Sequence, residues 1–562
     1  MKDISFLFEG MSPIVCPCKD GAVLYRIDNA GNDTYGALIN KAGENGFDAI
    51  FSNVIAHSTV KTLSENGDVL YTSYSDAEKV IRVIAKEDAK YAKELGFDGD
   101  KKYDVLLTQL SQPYYAPDCG MSYLVRLADG RFVVIDGGFD EFDNVDHLWN
   151  VISSQNERGG KPVIAAWFVS HAHDDHCGVP LHFIDKYSSS AEIQNVLYNW
   201  AVRIDGSSRH PEVRFTEVCS ENNGVLNVVT PRSGDRYVFG GVSFEMLFVG
   251  EDLYPAEIAS LNDSSMVVKM VYDGVTVLFP GDALSTASDL MCARYTPDVL
   301  KCDILQVPHH GYYGGSEAFF KACKPEVLFW SCPNYWYPVV CKWGANPMLI
   351  EAPATKYIYC CGRIEVTLDL SAEKDRFLPY KNDNYYIKNK HVLPSVADKP
   401  GDTVYEETFP EGRRVSELRW SCLTGGRTGY GAAKIELESG KCTFVSHDDR
   451  YDVIEFVQNW VIEKVPSFTL TFSGKMIGSY DTFSLFYDYA LPTVYSDEYA
   501  LPLGIAADSP FDVKLVTDPE NNKAFFTVNG VTKEVPFREV GGLHFILKGA
   551  TVEFNNVKVV KN

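Results

Sequence analysis

The sequence predicts an α/β chain of several domains, and three observations carry that prediction. An apolar run, Lys161-Pro-Val-Ile-Ala-Ala-Trp-Phe-Val169, leads directly into His171-Ala-His173-Asp174-Asp175-His176. Other apolar strand patterns end in Asp136-Gly-Gly, in Gly281-Asp282 and in His309-His310. Beyond residue 401 the pattern changes to short strands and turns, with no long helical periodicity. At 562 residues the chain exceeds what one hydrophobic core usually serves, so two or three domains are expected. The divisions read from the sequence are a small α/β domain over 1–110, a central α/β domain over 111–372, a linker over 373–400 and an all-β sandwich over 401–562.

Taken in order, Ala22–Ile27 and Val69–Tyr74 read as short strands. Ser75-Asp-Ala-Glu78 has the form of a capping box, and Val80, Ile81, Ile84, Tyr91 and Leu95 recur at helical spacing before Gly96. That spacing predicts a helix, and the whole segment a cap bordering the central site. Ser122–Asp136 and Ser265–Phe279 each read as two strands joined by an Asp-Gly turn, Asp129-Gly130 and Asp273-Gly274. Polar, Pro-bearing sequence marks the linker. After it, Ala524–Val535 with its Asn529-Gly530 turn and the closing run Ala550–Val560 fit antiparallel hairpins of a sandwich.

The chemistry lies in the spacing of the first cluster. Residues two apart at a strand end point the same way, so His171 and His173 converge, and Asp175 and His176 follow in the turn. Two imidazoles can serve one metal ion, and a carboxylate with an imidazole a second. Only twelve histidines occur in the chain, and three fall within these six positions, which argues against a chance cluster.

These motifs, in this order, resemble the metallo-β-lactamase-fold hydrolases. The resemblance implies an αββα sandwich carrying two divalent ions, zinc in the first instance, with manganese or iron as alternatives. It implies His171, His173, Asp175, His176 and Asp282 as metal ligands, Asp282 bridging the two ions, and one of His309 and His310 completing the second ion's set. The other histidine of that pair would steady an oxygen or protonate a leaving group, which places Asp175, Asp282, His309 and His310 in the catalytic centre. Asp136 would orient the histidine loop from beneath. Asn262-Asp263-Ser-Ser265, Gly-Asp-Ala and His-His-Gly look most like the subgroup containing competence proteins and phosphorylcholine esterases. The family's separate histidine between the first cluster and the bridging Asp is not evident here. His182, His210 and, behind the site, Asp263 are the residues available. Tyr312 and Tyr313 stand where the subgroup has Ser and are expected to wall the substrate pocket. The C-terminal segment resembles concanavalin-A-like jelly rolls, which implies glycan binding through aromatics such as Trp460, Tyr489, Tyr495 and Tyr499.

Composition narrows the function. Apolar residues make up 45% and charged residues 23%, the balance of a globular chain. A net charge of −24 repels polyanions and disfavours long nucleic acid as a substrate. Met1–Glu9 has too short an apolar stretch for a signal peptide, and no run reaches membrane-spanning length, so a cytoplasmic protein without membrane association is expected. The fourteen cysteines include the vicinal Cys360-Cys361 and read as reduced thiols.

The expected function is a metal-dependent hydrolase in which a metal-bridging hydroxide attacks a small phosphodiester or related ester. The alternative is a non-catalytic binding protein with a structural metal site and a glycan-binding sandwich. An iron oxidoreductase on the same fold ranks last, because the cluster keeps the hydrolase pattern of His173 with Asp175-His176.

Overall fold

The computed structural model describes residues 3–562 except 19, 88–101, 112–113, 116–117, 140–143, 200–210, 222–225, 333–336, 361–364, 380–398, 412–420, 423–433, 449–450, 459–464, 489–499 and 538–539. Several expectations fall outside the described residues: those for Tyr91, Leu95, Gly96, His210 and Cys361, most of the linker, and the four sandwich aromatics.

The N-terminal region is a six-stranded antiparallel sheet in the order Ile14–Pro17, Val23–Ile27, Val80–Lys86, Asp68–Ser75, Ser58–Glu65, Asp48–Ile55. One helix, Asn32–Glu44, lays Tyr35, Leu38 and Ala42 on it against Leu63, Leu70, Ile81 and Val83. The helix expected from Ser75 onward is instead a hairpin, with Ser75 paired to Val80 across a turn. Ser75 Oγ does accept the Glu78 backbone N–H, as a capping residue would, yet Lys79 then takes a left-handed φ of 55°. Val80, Ile81, Val83 and Ile84 follow, β-branched and buried on both faces, so strand packing overrides the helical spacing.

The central region has four layers. One sheet runs Asn227–Val229, Asn195–Leu197, Val163–Phe168, Phe132–Asp136, Ser122–Arg126, Leu106–Gln109, Val366–Asp369. The other runs Arg236–Phe239, Val242–Phe248, Val267–Tyr272, Val275–Phe279, Ile304–Gln306, Val327–Trp330, Tyr357–Cys360. Tyr123, Val125, Phe168, Phe244, Val277 and Phe329 form the core between the sheets. Helices Asn144–Gln155 and Asp174–Tyr187 cover the outer face of the first sheet, and Ser285–Arg294 and Glu317–Cys323 that of the second. This is the αββα sandwich. Leu106–Gln109 lies on the N-terminal side of the division expected at residue 110, but it is hydrogen-bonded into the first central sheet. The Asp273-Gly274 turn closes its hairpin with Tyr272 opposite Val275 and positive φ at both turn residues.

The C-terminal region packs an eight-stranded sheet on a five-stranded one around Phe444, Phe472, Phe483, Phe511, Phe545 and Phe554. Asn529 and Gly530, both at positive φ, join Lys523–Val528 to Val531–Pro536 as the sequence predicts. The closing strand Thr551–Lys561 pairs with the distant strands Phe468–Ile477 and Lys441–Val445 rather than forming a hairpin with its predecessor. Among the described residues no helix is long and apolar enough to cross a membrane.

Candidate metal centre

The centre forms where strands of both central sheets end. Strand Val163–Phe168 delivers Ser170 and His171, and His173 then takes an extended conformation as the N-cap of helix Asp174–Tyr187. Asp175 and His176 thus sit in the first helical turn. Gly178 is buried inside this helix. The close approach is allowed by Gly137, where a Cβ would fall 2.4 Å from Pro180 of the helix. Asp136, just before it, takes the left-handed φ of 55°, and its carboxylate accepts from Ser170 N at 2.7 Å and from Ser170 Oγ at 2.9 Å. Its Oδ2 also lies 2.9 Å from His176 Nδ1, which leaves His176 Nε2 facing the centre.

From the second sheet, Asp282 follows strand Val275–Phe279, and its backbone N–H donates to Ser265 Oγ at 3.1 Å. Gln306 bonds both the N–H and the C=O of Gly281, at 2.9 Å each, and so locks the neighbouring turn. His309 and His310 both adopt left-handed φ, 50° and 54°, a strained pair for residues with side chains. Gly311 cannot be replaced without a Cβ 2.6 Å from Trp330 Nε1. The strained turn directs His310 inward, with Nδ1 3.0 Å from the Ser331 carbonyl and Nε2 3.0 Å from Asp175 Oδ2.

Two donor sets result. Asp175, His176, Asp282 and His310 form one, and His171, His173 and Asp282 the other, the ligand atoms of each lying within 4.8 Å of one another. Asp282 belongs to both. His176 Nε2 is 3.2 Å from Asp282 Oδ1, and His171 Nε2 is 3.6 Å from Asp282 Oδ2 and 2.9 Å from His173 Nδ1.

Of the remaining candidates, His309 belongs to neither set. It faces Asn262, whose Nδ2 is 3.1 Å from His309 Nε2. Asp263 does not reach the centre either. Its Oδ1 accepts the Leu284 and Ala287 backbone N–H groups at 3.1 Å each and so caps helix Ser285–Arg294 behind the Asp282 turn. His182 is on the exposed face of its helix, away from the cluster. Tyr312 is half-buried, its ring 6.0 Å from that of His309 and 6.3 Å from that of His310. Tyr313 is 63% exposed and turns instead onto Trp343, stacked at 5.4 Å. Sequence reasoning missed Asn262, Gln306, Ser265 and Trp343. Only the Asn-Asp-x-Ser turn signalled any of them, and there the carboxylate of Asp263 drew the prediction, whereas its neighbour Asn262 is the residue that touches a site histidine.

The electrostatics suit cations. Burial would strip protons from His176 and His310, but the charges of Asp282 and its neighbours outweigh it. His176 is raised well above the usual histidine range and His310 to about 9. Burial likewise would raise Asp175 and Asp282, and the facing histidines hold both well below the carboxylate range instead. His171 goes the other way, lowered by burial and by its histidine neighbours. His176 Nε2, His310 Nε2 and Asp282 Oδ1 are buried with no well-formed hydrogen bond, although they converge on one another. Donor atoms that converge without bonding, among carboxylates that attract positive charge, fit divalent ions.

Comparison with known proteins gives one family match, within the central region. Residues 117–331 match the family described as the metallo-beta-lactamase superfamily. Among solved structures, a metallo-beta-lactamase fold protein, YhfI from Bacillus subtilis, is 13% identical, covering 40% of this chain and 85% of that one with a TM-score of 0.25. A Zn-dependent hydrolase of the same superfamily from Thermotoga maritima, its function inferred, is 12% identical over 40% of this chain and 74% of that one, with a TM-score of 0.19. The carbohydrate recognition domain of Emp46p, in a metal-free form, is 13% identical over 28% of this chain and 97% of that one, with a TM-score of 0.20. No curated protein sequence matches. Residues 117–331 thus match the metallo-beta-lactamase superfamily model, and the candidate metal centre lies within this stretch at the strand ends where the two central sheets meet.

Proposed function

We propose that the chain is a metal-dependent hydrolase acting on a small phosphodiester or a related ester. The observation that supports this best is the pair of donor sets meeting at one carboxylate, Asp282. Divalent ions bound there would supply an activated water and a Lewis acid for the oxygen of the scissile group. The chain's own residues do the rest. Asp282 sets the spacing of the two positions, and Asp136 and the Ser331 carbonyl hold His176 and His310 by their far nitrogens, so the near ones cannot swing away. His309 lies beside the centre, oriented by the Asn262 amide, and is the residue placed to steady a substrate oxygen or hand a proton to the leaving group. Tyr312 walls the approach next to both histidines. Carboxylate and imidazole donors make a fairly hard site, which favours oxygen-rich substrates over soft ones, and the net charge of −24 favours a small ester over a long polyanion.

The test is turnover of bis(4-nitrophenyl) phosphate and 4-nitrophenyl esters by chain loaded with zinc or manganese. Metal-dependent turnover that disappears in Asp282→Ala is the expected result. Failure of metal-loaded, folded chain to turn over any of these esters would remove the hydrolase reading.

A further inference from the structure

We propose that the two donor sets are unequal, so that the chain holds one divalent ion tightly between Asp175, His176, His310 and Asp282 and a second, exchangeable one between His171, His173 and Asp282. The inference rests on the metal-dependent reading above and goes beyond it by ranking the two positions. Three features point the same way.

The first is donor number. Among the described residues the Asp175 set offers four side-chain ligands and the His171 set three, one of them shared. A protein set of four can close a tetrahedral shell by itself, whereas a set of three leaves a position to solvent or substrate. The second is charge. Among the described residues two carboxylates belong to the first set and one, the shared Asp282, to the second, so a dication is more fully neutralised at the first.

The third is anchoring. His176 is held through Nδ1 by Asp136 at 2.9 Å and His310 through Nδ1 by the Ser331 carbonyl at 3.0 Å. Donors fixed in this way lose little freedom when they bind. In the smaller set, His171 Nδ1 meets the Ser170 hydroxyl at 3.1 Å, a rotatable partner in place of the carboxylate and backbone carbonyl that hold His176 and His310. The ligand-poor position is accordingly the one at which a substrate oxygen can complete the shell, and the chain's activity would follow the free metal concentration.

The experiment is isothermal titration of chelator-stripped chain with zinc chloride, with circular dichroism to confirm that each variant is folded. Two events of one ion each are expected, with dissociation constants at least about tenfold apart. His173→Ala should remove the weaker event and spare the tighter, while His310→Ala should weaken the tighter one by about tenfold or more. His210→Ala should leave both unchanged. Two events of equal affinity, loss of the tighter event in His173→Ala, or loss of the weaker event in His210→Ala would each overturn the proposal. Absence of both events in the folded wild-type chain would overturn the metal-dependent reading itself, and this inference with it.

Discussion

His309 and His310 are adjacent, share a strained left-handed backbone and do different things. His310 is anchored to Ser331 and faces Asp175 and Asp282, while His309 faces Asn262. Replacing each by alanine should therefore separate binding from chemistry. His309→Ala is expected to keep its metal and lose about 10²- to 10⁴-fold in kcat, the usual range for a proton-transferring group. Equal loss of metal in both variants, read by elemental mass spectrometry, would contradict the division. The sequence could narrow the choice to this pair but not decide it, because two residues in succession at positive φ reverse the direction that strand alternation assigns. Asp136 belongs to the same scale. Asp136→Asn should lower zinc affinity by about 10- to 100-fold, since it unseats Ser170 and His176 together. Unchanged affinity in a competition assay with a chromophoric chelator would show that its contacts are merely structural.

Among the elements, helix Ser285–Arg294 matters most to the site because its N-terminal end follows Asp282. Its free N–H groups are capped by Asp263, a residue from another segment. Asp263→Ala should cost about 1 kcal/mol of stability, the usual value of an N-cap, and should lower metal affinity through the displaced Asp282 turn. A variant with wild-type melting temperature would refute the capping role. The central strands were legible because each is an apolar run that ends in a turn residue or a ligand, and Asp273-Gly274 and Asn529-Gly530 announce their hairpins. The segment after Ser75 was not. Its hydrophobic residues satisfy a helical spacing and a buried strand equally, and only pairing with Asp68–Ser75 decides between them. Gln306 was illegible for a related reason: one polar residue inside an apolar strand shows its purpose only when Gly281 is brought beside it.

For the whole molecule, the attachment of the N-terminal sheet to the central domain is the feature no local pattern foretold. Glu78 is buried between Arg82 of its own sheet, at 2.9 Å, and Arg294 of the central domain, at 2.8 Å, and Arg294 also reaches Asp252 at 3.0 Å. Asp20 meets Arg232 at 2.7 Å and Lys86 at 2.6 Å, and Arg232 meets Glu251. Glu251 and Asp252 begin the segment that runs on to Asn262, so the docked sheet braces the chain leading into the site. Burial would raise Glu78, but Arg294 and Arg82 outweigh it and bring it from 4.5 down to about 2. Because its folded value lies below its ordinary one, the stabilisation is present above pH 4.5 and is lost as the pH falls from there towards 2. Glu78→Gln should thus cost about 3 kcal/mol at neutral pH, a penalty that shrinks on acidification through that window. Denaturant unfolding at pH 7 and pH 3 checks it, and a penalty that does not change with pH would contradict the electrostatic origin.

The central claim, that Asp282 joins two metal positions, is tested most directly by anomalous diffraction from crystals of the chain soaked in manganese. Two peaks are expected, one among Asp175, His176 and His310 and one beside His171 and His173, both in contact with Asp282. An ordered, metal-soaked crystal with no peak against Asp282 would contradict the account.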